Sequence, residues 1–424
     1  MLKTVTDYSK LFDVVRLIYH FAARYCVYSG RFKLLGEYSG IRETKLMSKL
    51  KRKLLSVLYP LKQKFSMSKL WLGKKLGFVR SVMIMPYQGF GNGKVLFFTG
   101  RVLGDKQIGL SQAEDSRWRN FKKMYKRFMT WQIPEANLEA SFDGFTKSAT
   151  TDEEGYYEFR MELPDPISDH NPWQKIEIVL KDKVVKNQEP PVVYSDLFVP
   201  SERVEFGVIS DIDDTIVPTG ATRVWEMLKT TFLGNAQTRV PFPGVAAFYQ
   251  ALSKGLVGHE NNPFFYVSSS PWNLYDFLRE LMTVHNLPQG PLMLRDIGLS
   301  REQFIAGSHT KHKLVQVERV FSIIRDIPFI LIGDSGQHDA EIYLQVIKDF
   351  PGRVKMVYIR DVDPASHKKV LKIADEIGKL GVEMMLITDT IEAALHAVSK
   401  GWILEEDIAH IADEKKEDED MTGS

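Results

Sequence analysis

Two carboxylates, Asp211 and Asp213, follow the apolar run Gly207 to Ser210, and Thr215 comes two residues later. At strand spacing such a pair aims at one site, because alternate residues of an extended chain share a face. A second apolar run, Phe264 to Val267, ends at Ser268, Ser269 and Ser270. A third ends at Asp334, with Asp339 five residues on, and Lys313 stands between them at the head of an amphipathic segment. Ligands of an open parallel sheet bind outside the carboxyl ends of its strands. Carboxylates for a hard cation, a hydroxyl and an ammonium are what a phosphoryl group requires. Each feature alone has a plainer reading: a solvated turn, a helix cap, a surface lysine. Their joint occurrence at three strand ends argues for chemistry.

The elements that must position these groups are legible. From 204 to 404 strands and helices alternate, which predicts an α/β fold with a parallel sheet and flanking helices. Strands are expected at 204–210, 264–268, 328–333, 354–359 and 383–387. Pro271 opens a helix after the serines, and Lys313 to Ile324 supplies another. Between Pro218 and Pro241 there is one amphipathic segment, enough for only a small cap over an open site.

The flanks differ in character. Residues 1–77 read as a basic amphipathic helical segment. Arg16, His20 and Arg24 share one helical face, and Met47, Leu50, Leu54, Leu58 and Leu61 recur at helical spacing until Pro60 interrupts. Residues 78–203 read as a β-sandwich-like domain of short strands, with a turn at Asp152 to Gly155. A basic helical insert, 116–131, interrupts it. Residues 405–424 read as a disordered acidic tail.

The formal charge of +2 hides this asymmetry. Residues 1–80 carry 18 Lys/Arg against 4 Asp/Glu, and the stretch from Glu405 carries 9 acidic residues against 2 lysines. A basic amphipathic segment suits an anionic membrane surface. Over 424 residues, an apolar fraction of 44% fits a folded chain of two or more domains. The single cysteine, Cys26, excludes an internal disulfide framework and a cysteine-based zinc site. Neither a signal peptide nor a spanning helix is expected. The expected location is cytoplasmic, with peripheral membrane contact.

Four motifs carry a family resemblance. "DIDDT" at 211–215, "SSS" at 268–270, Lys313 and "GDSGQHD" at 333–339 resemble those of haloacid-dehalogenase-like phosphatases, in the same order. The strings "SDIDDTI", "YVSSSPWNLYDFL", "LIGDSGQHDAEIY" and "YIRDV" are similar to the actin-patch-associated phosphatidate phosphatase family, whose catalytic motifs are related to those of the lipins. The likeness spans residues 204–365.

The resemblance implies a haloacid-dehalogenase-like sheet in which Asp211 attacks phosphorus and forms an aspartyl-phosphate. Asp213 would protonate the leaving oxygen and later activate water, and Thr215 would brace the loop. Mg²⁺ is the implied cofactor, held by Asp211, Asp334 and the backbone carbonyl of Asp213. Asp339 would bind the ion, directly or through water, or orient Lys313. Ser268 is the first choice for the phosphate-binding hydroxyl, with Ser269 and Ser270 as rivals; relatives often carry asparagine at the middle position. Lys313 would neutralise phosphoryl oxygens, with Lys311 as the alternative.

The implied reaction is hydrolysis of phosphatidate to diacylglycerol and phosphate. The implied partners are a phospholipid substrate and an anionic membrane surface. Two alternatives stand beside it. One is a phosphatase for a soluble phosphomonoester or a nucleic-acid end phosphate, although nucleic acid is not the expected partner. The other is a membrane-associated interaction scaffold.

Overall fold

Strand periodicity of two and helix periodicity near four sort this chain into two sheets. The computed structural model describes residues 66–105 (without 69 and 78), 126, 130–167, 171–216 (without 202), 241–295 (without 259) and 309–422. The helices expected before residue 66, most of the basic insert and the cap expected after Pro218 lie outside the described residues.

The first sheet has eight strands: β1 (Val82–Pro86), β2 (Gly89–Gly91), β3 (Val95–Gly104), β4 (Asn137–Phe142), β5 (Phe145–Thr150), β6 (Tyr156–Glu162), β7 (Trp173–Leu180) and β8 (Val192–Phe198). Their order is β1-β3-β2-β8-β7-β4-β5, with β6 on β3. All pairs are antiparallel except β2 with β8. Alternation sets the inner face: Tyr157, Phe159 and Met161 of β6 are buried while Glu158, Arg160 and Glu162 are exposed. The predicted turn before β6 is present. Asp152 Oδ1 accepts from the Glu154 and Tyr156 amides, and Gly155 takes φ 83°, where a side chain would strike the Val102 carbonyl.

The second sheet is wholly parallel: β9 (Gly207–Ser210), β10 (Phe264–Pro271), β11 (Leu292–Arg295), β12 (Phe329–Asp334), β13 (Val354–Arg360) and β14 (Glu383–Ile387). Every residue of β9 and of β12 is buried, as strands covered on both faces require. Helices α1 (Val245–Lys254) and α2 (Tyr275–Val284) share one apolar cluster with α6 (Thr390–Ser399). Helices α3 (His309–Ile323), α4 (Asp339–Asp349) and α5 (His367–Lys379) cover the other face.

The strand order is β11-β10-β9-β12-β13-β14. In chain order within the sheet this is three-two-one-four-five-six, the doubly wound arrangement, with its switch point between β9 and β12. Asp211 and Asp213 leave the end of β9, and Asp334 closes β12. The topology therefore brings the sequence-distant carboxylates to one crevice.

The two sheets touch through aromatic side chains. Trp272 stacks on Tyr87 at 4.1 Å and 7°, and Phe90 meets Phe265 edge-on at 5.2 Å. Trp272 thus packs at this junction, in a short 3₁₀ turn (Trp272–Leu274) that precedes α2, so the helix begins four residues later than Pro271 suggests.

The acidic end departs from expectation. It forms helix α7 (Asp407–Thr422), and Ile411 is fully buried against the same cluster as α1. The reason lies in α1, which starts at Gly244 with neither a capping side chain nor an acidic residue in its first turn. Helix α7 supplies both. Asp418 Oδ2 accepts from the Gly244 amide at 3.0 Å, and Glu414 Oε2 accepts from the Ala247 amide at 2.6 Å. Lys415 pairs with Asp389, which caps α6 through the Ile391 amide. Carboxylates at a helix N-terminus satisfy orphan N–H groups and complement the dipole. Replacing Glu414 or Asp418 with alanine should cost about 1 kcal/mol each, as for other lost N-terminal caps. Urea unfolding would measure it, and an unchanged midpoint would show that the contacts carry no net stability.

Candidate active site

The loop after β9 turns back sharply. The Asp211 amide donates to the Ile332 carbonyl, the Ile216 amide donates to the Ile212 carbonyl, and Asp214 takes φ 58°. Aspartate tolerates that left-handed conformation better than most residues. Asp211 is thereby fixed beside β12. Its Oδ1 lies 2.7 Å from Lys313 Nζ, and Thr215 Oγ1 donates to its Oδ2 at 3.4 Å.

Lys313 lies in the first turns of α3 and is buried. Its ammonium also reaches Asp339 Oδ1 at 2.6 Å. Lys311, the sequence alternative, is exposed. Asp339 begins α4 hard against β12, and a side chain at Gly333 would lie 2.6 Å from its Cβ. The missing side chain at Gly333 is what lets this carboxylate stand beside Asp334.

Asp211, Asp334 and Asp339 each present one oxygen, all within 4.8 Å of one another, and all three residues are buried. Asp334 Oδ1 accepts the amides of Gly336 and Gln337, whereas its Oδ2 is buried without a hydrogen-bond partner among the described residues. An oxygen-only donor set with an orphaned buried carboxylate oxygen fits a hard cation such as Mg²⁺. Asp213 stands apart from this trio. Its backbone carbonyl, expected as a metal ligand, accepts from Gln337 Nε2 at 3.0 Å.

The electrostatics follow from burial. Burial pushes the Asp211 carboxyl well up, against the pull of Lys313 and with the help of Asp339 and Asp334. Burial and then Asp339 push Asp334 up to about 8, with Lys313 opposing. Burial alone would lower the lysine, but Asp211 and Asp339 outweigh it and hold the ammonium above its ordinary range. Three buried carboxylates and one ammonium leave an excess of negative charge that a divalent cation would balance.

Asp334 titrates at about 8 when folded against an ordinary 3.8, so the folded chain holds its proton more tightly. Stability falls wherever the unfolded state binds fewer protons as pH rises. The metal-free protein should therefore lose stability between pH 4 and 8 relative to Asp334→Asn, and Mg²⁺ should restore it at pH 8. Melting curves of both proteins in chelator would check this; parallel pH profiles would refute it.

The serines divide by strand period. Ser268 Oγ donates to Asp213 Oδ2 at 2.7 Å and accepts from the Ser270 amide, and Ser270 Oγ donates to the same Asp213 oxygen at 3.0 Å. Ser269 points elsewhere, and its Oγ is buried with no partner among the described residues. Ser268 and Ser270 thus grip the Asp213 carboxylate, and Ser269 holds the uncommitted hydroxyl.

Gln337 is a site residue that sequence reasoning passed over. Besides Asp213, its side chain reaches Lys313 Nζ through Oε1 at 3.4 Å. Its only sequence signal is its place between Asp334 and Asp339. Two further polar residues near the strand ends take no part in the cluster. His338 is exposed and pairs with Glu341. Arg360 is buried on Phe242 and Thr390.

Comparison with known proteins matches the same part of the chain. Residues 206–361 match the family model described as "Phosphatidate phosphatase APP1, catalytic domain". The chain is 34% identical over 195 residues to phosphatidate phosphatase APP1 of Saccharomyces cerevisiae, covering 44% of this chain and 31% of that protein. It is 28% identical over 226 residues to the uncharacterised protein C29B5.04c of Schizosaccharomyces pombe, covering 51% of this chain and 34% of the other. The chain thus spans about a third of the length of these relatives. Among solved structures, a carbohydrate acetylesterase from Xanthomonas citri aligns at 10% identity and a TM-score of 0.24, over 73% of this chain and 69% of the other. That likeness is too slight to carry an argument. Four motif regions and one buried cluster fall on residues 206–361, the stretch that matches the phosphatidate phosphatase APP1 catalytic-domain model.

Proposed function

We propose that this chain is a Mg²⁺-dependent phosphatidate phosphatase of the haloacid-dehalogenase type. The observation that carries the reading is the buried Asp211–Lys313–Asp339 chain of ion pairs beside Asp334, at the sheet's switch point. The APP1 match supplies the substrate class.

In this reading an Asp211 carboxylate oxygen attacks phosphorus, and the bond from phosphorus to the glycerol oxygen breaks. A carboxylate nucleophile splits one displacement into two easier ones. Asp213 gives its proton to the departing oxygen, which leaves as the hydroxyl of diacylglycerol. Asp213 then takes a proton from water, whose oxygen attacks the aspartyl-phosphate and frees inorganic phosphate. Ser268 and Ser270 hold the Asp213 carboxylate for this shuttle. Lys313 balances charge on the phosphoryl oxygens. Mg²⁺ on Asp211, Asp334 and Asp339 would supply further charge stabilisation. Gln337 ties the loop's Asp213 carbonyl to the lysine.

A cytoplasmic location with peripheral membrane contact belongs to the same reading. Residues 70–75 are helical, and Trp71, Leu72 and Leu76 are exposed. Lys75 lies over the Trp71 ring at 5.0 Å, an apolar face edged by cations such as an anionic lipid surface attracts. Changing Trp71 and Leu76 together to alanine should at least halve sedimentation with phosphatidate vesicles while sparing hydrolysis of dispersed short-chain substrate. Undiminished sedimentation would remove this face from the reading.

The function itself is tested by phosphate release from phosphatidate in mixed micelles, with and without Mg²⁺, beside soluble phosphomonoesters. Mg²⁺-dependent release from the lipid supports the proposal. Release only from a soluble ester keeps the chemistry and discards the substrate. Release from nothing leaves a scaffold.

A further inference from the structure

The turn after β12 sets the rotation of one carboxylate in the buried cluster. Its Gly336 and Gln337 amides donate to Asp334 Oδ1 at 2.7 and 2.8 Å, and Oδ2 is left without a partner among the described residues. A carboxylate gripped at one oxygen keeps its orientation only while the gripping turn keeps its place.

Ser335 tethers that turn to the neighbouring strand. Its amide donates to the Arg360 carbonyl at 2.9 Å. Its hydroxyl accepts from the Val362 and Asp363 amides, each at 3.0 Å, and donates to Asp361 Oδ1 at 3.1 Å. A hydroxyl has one proton and two lone pairs, so all three are committed to residues 361–363, just beyond β13. Ser335 is 2% exposed, and a buried hydroxyl that loses its acceptor has no bulk water to turn to. Gly336 shows how closely the parts fit. A Cβ there would lie 3.3 Å from both Asp334 Oδ1 and Val362 Cγ2.

Asp361 is fixed at both oxygens. Oδ1 takes the Ser335 proton, and Oδ2 meets Nδ1 of His367, the first residue of α5, at 2.7 Å. Its amide donates to the Ile387 carbonyl of β14 at 2.8 Å. None of its hydrogen bonds among the described residues goes to Asp211, Asp213, Asp334 or Asp339. Its influence on the cluster therefore runs through Ser335. We infer that Asp361 is a positioning residue for the divalent cation: through the Ser335 hydroxyl it holds the turn whose amides orient Asp334. This deepens the proposed function and rests on its metal site.

Calorimetric titration of the full chain with Mg²⁺, without substrate, tests it. Groups that orient a metal ligand typically cost about 10–100-fold in affinity when removed. Asp361→Ala should bind Mg²⁺ about tenfold more weakly than the parent. Ser335→Ala should lose about as much, and the double variant should be no worse than either, because both break one link. Ser335→Ala carries the test where Asp361→Ala fails to fold. Asp361→Asn keeps an oxygen for the Ser335 proton and should stay within about twofold of the parent. Ser366→Ala loosens the same loop at Asp363 without touching Ser335 and should bind like the parent. Parent-like binding by Asp361→Ala and Ser335→Ala, additive losses in the double variant, or an equal loss in Ser366→Ala would overturn the inference and leave the metal site standing. A parent that takes up no Mg²⁺ would overturn it together with the metal reading beneath it.

Discussion

Asp211→Asn should hydrolyse phosphatidate on the order of 10⁴-fold more slowly than the parent, or worse, the scale on which a lost nucleophile is felt. Three features make the loss large. The carboxamide cannot form the acyl-phosphate. It also presents an amide to Lys313 where the carboxylate oxygen stood at 2.7 Å. Of the neighbouring carboxylates, Asp339 is spent on the Asp334 amide and the lysine, and Asp334 has one oxygen tied to the Gly336 and Gln337 amides. The substitution is nearly isosteric and removes one buried charge, so folding should survive. A melting temperature at or above the parent's, together with lost turnover, is the expected pair. Retained turnover would remove Asp211 from the nucleophile's role, and acid-quenched capture of labelled phosphate on the parent but not the variant would confirm it.

Lys313→Met should be the more damaging change to the fold. Breaking a buried ion pair by removing one partner costs about 3–5 kcal/mol, because the other charge stays behind uncompensated. Here two carboxylates lose their counter-ion at once. Part of that loss should return in the double variant Lys313→Met with Asp339→Asn, which removes one of the stranded charges. Neighbouring residues couple in this way, with interaction energies up to a few kcal/mol. Denaturant unfolding of the two single variants and the double measures the coupling; strict additivity would mean that the three groups do not form one electrostatic unit. Turnover should be lost in every variant that lacks Lys313, including any rescued in stability.

The gathering of Asp211, Lys313, Asp334 and Asp339 was legible because strand ends announce themselves. A largely apolar run that stops at Asp211 or Asp334 reads as a buried strand delivering a carboxylate to its carboxyl end once the two recur together, and the doubly wound order then joins them. Finer placement was not legible, because it turns on single-residue register. Strand side chains alternate, so adjacent serines face opposite ways, and β10 continues through all three of them to Pro271. That extension puts Ser268 and Ser270 on Asp213 and leaves Ser269 apart. Gln337 was hidden for another reason. It is neutral, and its role depends on an Asp213 carbonyl far away in sequence. Strand β11 was missed because four residues carry too little pattern. The acidic end was misread because charge dominates its composition, while its structure depends on one buried isoleucine and two carboxylates aimed at a helix that lacks its own cap.

Those two carboxylates also set a schedule. Helix α1 is made early, yet the groups that cap it lie 167 and 174 residues further along the chain. Contacts of such long separation form late, because chain closure must come first. During synthesis the first turn of α1 waits with its amides in water until the segment carrying Glu414 and Asp418 has left the ribosome. One face of the parallel sheet is therefore completed only when that segment arrives, and a chain stalled before Glu414 would carry Asp211, Asp334 and Asp339 on an unfinished layer.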